Sequence, residues 1–76
     1  MFFRRKQREK WRPLRFSDQG KVLQLLILNP QEKIKAQVIQ FLFEEGYTFV
    51  RLAIKTKKGW RIEAFPIESI KVLEEG

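Results

Sequence analysis

The segment Val22-Leu23-Gln24-Leu25-Leu26-Ile27-Leu28 carries apolar residues on both faces of a short run. Side chains alternate across a strand, so a run like this needs cover on two sides and belongs inside a sheet, not at its margin. The chain must bury it without staples. Its 76 residues include no cysteine and no histidine, which excludes disulfides and a Cys/His zinc site. A domain of this length buries only about 60% of its unfolded surface. With 43% hydrophobic residues the chain is too apolar to stay disordered, so packing has to supply the stability.

The segment after this strand supports two readings. Asn29-Pro30-Gln31-Glu32 combines an N-cap residue, a proline at the first helical position and a glutamate at the third. Lys33, Gln37, Gln40 and Glu44 then form one polar stripe at helical spacing. Ile34, Val38, Phe41 and Leu42, with Ile39 and Phe43, form a wide apolar face, and Gly46 stands where a glycine would end the helix. This pattern predicts a helix over 30–45. The competing pattern is a strand. Ile34, Ala36 and Val38 alternate with Lys33, Lys35 and Gln37, and Val38, Ile39, Phe41 and Phe43 favour extended backbone. The helix is preferred because start and stop signals coincide at its two ends.

Beyond Gly46 the alternation is plain. Thr48, Val50, Leu52 and Ile54 share one face of a strand, and Trp60, Ile62 and Ala64 share one face of its return, across Lys57-Lys58-Gly59. Pro66 ends that strand or confines it to an edge. Ile67-Glu68-Ser69 reads as a tight turn, and Ile70 to Leu73 as a last strand or one helical turn. The expected fold is α+β: a two-layer β-α-β-β(-β) sheet with one covering helix and a basic N-terminal arm. The alternative is an all-β small barrel of SH3-like or Sm-like type, whose last strands the segment Phe65-Pro66-Ile67-Glu68-Ser69-Ile70 resembles. The expected division is an arm over 1–16 and one globular domain over 17–76, joined through the Ser17-Asp18-Gln19-Gly20 turn.

Charge is distributed very unevenly. Residues 1–16 hold seven Lys+Arg against one acid, whereas residues 17–76 hold nine against eight. Most of the formal net charge of +7 therefore sits in the arm, and a charge so concentrated concerns a partner, not the fold. Arg4, Arg5, Lys6, Arg8, Lys10, Arg12 and Arg15 are candidate phosphate ligands, with Trp11 among them as an aromatic that could stack on a base. Lys55, Lys57, Lys58 and Arg61 at the hairpin tip form a second candidate surface. Trp60 beside them is assigned to the core or half-core. Phe3, Gln7, Trp11 and Leu14 fall roughly on one helical face, but Pro13 limits any helix there to Phe2–Arg12.

The expected function is non-catalytic binding of nucleic acid, DNA or RNA. An assembly or adaptor role, docking on an acidic protein or on a second copy, is the alternative from a different class. An acidic membrane surface ranks below both. Catalysis is poorly supplied without histidine or cysteine; a metal-independent ribonuclease using an arginine such as Arg61, a lysine, Tyr47 or Glu63 is its least excluded form. No metal, cofactor or small-molecule substrate is expected. The longest apolar run, Leu25–Leu28, is far too short to span a bilayer, and no apolar segment of signal-peptide type comes after the basic terminus. A cytoplasmic location is expected.

Overall fold

The structure, a computed structural model, describes residues 9–28 and 31–74. They form one antiparallel sheet of six strands: β1 (Lys10–Pro13), β2 (Val22–Leu28), β3 (Gln31–Glu44), β4 (Tyr47–Thr56), β5 (Gly59–Pro66) and β6 (Ile70–Glu74). The order across the sheet is β1-β6-β2-β3-β4-β5. The only helical turns among the described residues are two three-residue 3-10 turns, Phe16–Asp18 and Ile67–Ser69. No helix among the described residues is long and apolar enough to cross a membrane.

The α+β expectation, with its covering helix, is therefore wrong, and the all-β alternative fits. The error lies in residues 31–44, which are strand β3 throughout. β3 pairs with β2 from Leu28↔Gln31 to Val22↔Gln37, which leaves two residues to connect the strands. Glu32 is thus a ladder residue opposite Ile27 and not the third position of a helix; the expected caps Asn29 and Pro30 lie outside the described residues. The strand alternation of Lys33 to Val38 decides the conformation. Alternation lets β3 bury Ala36 and Val38 against long-range neighbours, whereas a helix there would leave β2 without a partner on this side.

The helical stripe from Gln40 onward has its own explanation. The register shifts between Val38 and Gln40, a β-bulge that inserts one residue at Ile39. The bulge moves the inward positions from even to odd numbers, so Val38 is succeeded inward by Phe41. Two strand segments of opposite parity joined this way imitate a helical period. Gly46 does not end a helix either. Glu45 and Gly46 have φ of 48° and 84°, and Glu44 pairs with Tyr47, which makes a two-residue hairpin needing positive φ at both central positions.

The sheet cannot be flat. Strands β2, β3 and β4 separate β6 from β5, four strand spacings or about 19 Å in a flat sheet. Yet only Ile67–Ser69 connects β5 to β6, and a 3-10 turn rises only about 2 Å per residue. The sheet must curl until β5 approaches the β6 side. Burial agrees: Leu25, Val38, Val50 and Leu52 are completely buried although the described residues form no second layer over the sheet. Leu14, Phe65 and Ile67 pack on this core from the loop after β1, from β5 and from the second 3-10 turn. The two-sided strand β2 lies in the sheet interior, in keeping with its pattern. Its Leu26 points away from the core and is still only 7% exposed. Prolines respect the ladder: Pro13 and Pro66 lie on the two outermost strands.

Residues 10–16 of the arm belong to this fold. Lys10 to Pro13 pair with Glu74 to Lys71, Leu14 enters the core, and the Phe16 ring packs edge-on against Phe41 at 4.9 Å. The helical option for the arm is thus overturned for Lys10–Arg12, and the remainder of that segment lies outside the described residues.

Candidate nucleic-acid interface

Strand parity sorts the charges. Residues that face away from Leu25, Val38, Leu52 and Val72 form the outer face, and the ladder registers identify them across all six strands. On this face lie Lys33 and Lys35 of β3, Arg51 and Lys55 of β4, and Lys71 of β6. The one acid of the described strands with outward parity is Glu44, at the far end of the β3–β4 hairpin. Glu32, Glu63 and Glu74 have the other parity, opposite Ile27, Leu52 and Lys10. The body that is nearly neutral by composition is therefore strongly one-signed over the outer face of its strands.

Three of these cations, Lys33, Lys35 and Lys55, lie near one another at one end of the sheet. A groove of about 620 Å³ opens there on the inner side of the sheet, with the core-facing Ile27, Ile34, Ile54 and Phe65 as its apolar floor. Lys33, Lys35, Lys55 and Arg61 stand on its rim, with Glu32 and Glu63. Lys55 is opposite Trp60 in the β4–β5 ladder, and its ammonium lies 5.8 Å from the indole centroid. Trp60 is 61% exposed, which corrects its assignment to the core. It sits on the outer face with Ile62, also exposed, and with Ala64. At the tip, Thr56 pairs with Gly59, and the Thr56 hydroxyl donates to the Gly59 carbonyl oxygen at 2.9 Å while accepting from the Lys58 N–H. This holds a tight turn from which Lys57 and Lys58 project into solvent.

The arm residues divide differently. Arg4, Arg5, Lys6 and Arg8 lie outside the described residues. Lys10 is exposed on β1. Arg12 is engaged: its Nη1 and Nη2 donate to Asp18 Oδ2 and Oδ1 at 2.9 and 3.0 Å. Asp18 is buried, and it also accepts the Arg15 backbone N–H at 2.9 Å. Lys21 Nζ lies 3.9 Å from it. The Arg12 hydrogen bonds, then the Arg15 N–H and the charges of Arg12 and Lys21, hold the Asp18 carboxyl below the usual carboxylate value, against the opposing effect of burial. Asp18 in turn holds the Arg12 guanidinium above its ordinary value, chiefly through the same hydrogen bonds. This is a structural clamp on the β1–β2 connection, and it takes Arg12 out of the set of free phosphate ligands. Arg15 keeps an exposed side chain. Trp11 is half-buried and shares a shallow recess with Leu26 and Lys33, where the Lys33 ammonium is 6.0 Å from its ring.

One ion pair brings the arm to the outer face. Glu9 carboxylate oxygens accept from Lys33 Nζ at 2.8 and 3.0 Å. The residues named for the catalytic alternative fall into two places. Arg61 and Glu63 approach to 3.5 Å, but Tyr47 lies at the opposite end of β4, about 23 Å away along the strand from Ile54, the partner of Arg61. Lys33, Lys35, Arg51 and Lys71 are missing from the sequence-based set. The signal for Lys33 and Lys35 is their alternation with Ile34 and Ala36, which the helical reading sets aside. No protein-family model, curated protein or solved structure matches this chain.

Proposed function

We propose that this protein binds nucleic acid without catalysis, through the outer face of the curled sheet. The observation that supports this reading is the sorting of charge by strand parity: the described strands put five cations on one face, with an exposed tryptophan among them, against Glu44 at the far end and Glu9, which pairs with Lys33. A solvated structural face needs no such segregation, since mixed signs serve solubility and avoid self-repulsion. Phosphates neutralised by Lys33, Lys35 and Lys55 release counterions, so affinity falls steeply with salt. Lys57 and Lys58 extend the same field to the hairpin tip. Arg4, Arg5, Lys6 and Arg8 add charge to a chain that reaches this face at Glu9.

The test is a fluorescence-anisotropy titration of a labelled mixed-sequence oligonucleotide at two salt concentrations. The triple variant Lys33→Gln/Lys35→Gln/Lys55→Gln is expected to bind more weakly and to show a shallower log–log salt slope. On a single strand the slope shrinks by about 0.7 for each phosphate no longer neutralised. Unchanged affinity in a folded triple variant would refute the outer face as the binding surface.

A second reading, assembly with another protein or a second copy, draws on a different region. Phe16, Phe43 and Tyr47 are 60%, 68% and 65% exposed around the far end of the β3–β4 hairpin. Aromatic surface of this kind is enriched at protein interfaces. Sedimentation of the wild type and of Phe43→Ser separates the readings: a tight dimer, absent in the variant, with no affinity for any oligonucleotide favours assembly.

A further inference from the structure

We infer that the preferred ligand of the outer face is a single strand, whose bases stack on Trp60 while its phosphates track the lysines of β3. This inference rests on the nucleic-acid reading and narrows its ligand class.

Lys33 and Lys35 occupy alternate positions of one strand, so their stems rise from the same face about 7 Å apart. Gln24 is opposite Lys35, and Lys55 is opposite Trp60. Trp60 therefore lies two strands away from β3, about 10 Å across the face. Lys55 stands in the row of Trp60, and the low part of the floor is the next row, towards Ile62. Ala53 stands opposite Gln37 on one side and Ile62 on the other, with Arg51 and Lys55 flanking it along β4. A backbone lying on β3 can direct its bases across Ala53 towards the apolar faces of Ile62 and Trp60.

A duplex makes poor use of this surface. Its base faces are already stacked within the helix, so Trp60 and Ile62 would meet only sugar and phosphate and stay wet. An unpaired base offers a π-face to the exposed indole, and every base has one, so the stacking is tolerant of sequence. Lys55 is placed to serve both components, since its ammonium is 5.8 Å from the Trp60 ring centroid on the cationic side of the row. A base can take the other face of the indole while Lys55 meets its phosphate.

The experiment compares one labelled oligonucleotide as a single strand and annealed to its complement, at fixed salt. Wild type is expected to bind the single strand at least about ten-fold more tightly, the worth of one stacked base. Trp60→Ala is expected to lose about ten-fold on the single strand, by the same stacking range, and to leave duplex affinity unchanged; Trp60→Phe should recover most of the loss. Trp60 is exposed, so circular dichroism should show both variants folded. Equal or tighter duplex binding, or a Trp60→Ala variant that binds the single strand like wild type, overturns the single-strand inference while the nucleic-acid reading stands. Failure of both oligonucleotides to bind overturns both. Equal competition by inorganic polyphosphate, which has charge but no bases, also overturns the single-strand inference.

Discussion

The Lys10–Phe16 segment and the Lys55–Arg61 hairpin are alike in composition and opposite in use. Each mixes cations with a tryptophan, and each reads in sequence as a polyanion-binding surface. In the first, Arg12 is tied to the buried Asp18, Leu14 fills the core and Phe16 packs on Phe41 and Phe43. In the second, Lys57, Lys58 and Trp60 are exposed, and only Arg61 has an acidic neighbour, at 3.5 Å. The lesson is that a cation is available to a partner only if the fold has not already given it a buried counter-charge. Composition counts both kinds alike.

The sharpest way to break this comparison is to remove the counter-charge. Asp18→Ala should destabilise the domain by about 3 kcal/mol, the lower end for breaking a buried pair, because Arg12 retains partial access to water. A domain of this length has only about 4–11 kcal/mol in total, so the urea midpoint should fall sharply. Conversely, the oligonucleotide affinity of the folded fraction should change little. If Asp18→Ala left stability within experimental error, the arm segment would be no more anchored than the hairpin.

Acid titration sharpens the same contrast. Asp18 titrates in the folded state below its unfolded value, mainly through its hydrogen bonds from Arg12. The linked stability is fully present above the unfolded carboxylate value near about pH 4 and disappears as pH falls through the folded value. Thermal midpoints of wild type and Asp18→Ala should therefore differ most around neutral pH and converge in strong acid. A gap that stays constant from neutral pH into strong acid would show that the Asp18 charge contributes nothing and that its role is packing.

Legibility in the sequence divides along the same line. Strand β4 and its inward residues Val50, Leu52 and Ile54 are readable because alternation over ten residues has no competing period. Pro66 correctly marks the end of an edge strand, and the two-sided pattern of Val22–Leu28 correctly demands an interior one. Strand β3 misleads because the bulge at Ile39 changes its parity midway, and because hairpin and helix-start signals share residue types at 29–32. That single error hides Lys33 and Lys35, since a helical stripe and a strand face assign them different neighbours. Asp18 is unreadable for another reason. Its importance depends on Arg12 reaching it from β1 across the Leu14–Ser17 connection, which no local pattern encodes. Trp60 reads as a core residue because tryptophan is usually well buried; only the register with Lys55 puts it outside.

The smallest effect tests the hairpin half of the comparison. Lys57→Ser/Lys58→Ser removes two projecting charges and leaves the Thr56–Gly59 closure intact, because the Lys58 contribution to the turn is its backbone N–H. Stability should stay within about 0.5 kcal/mol of wild type, as for other surface substitutions that touch nothing. Oligonucleotide affinity should fall modestly, and the salt slope should shrink by up to about 1.4 on a single strand, about 0.7 for each phosphate no longer neutralised. Wild-type affinity and slope in this variant would confine binding to Lys33, Lys35, Lys55 and Trp60, and the tip would then be a solvated turn whose lysines only discourage pairing with other strands. A loss of stability instead would mean that the hairpin, like the arm, uses its charges within the fold.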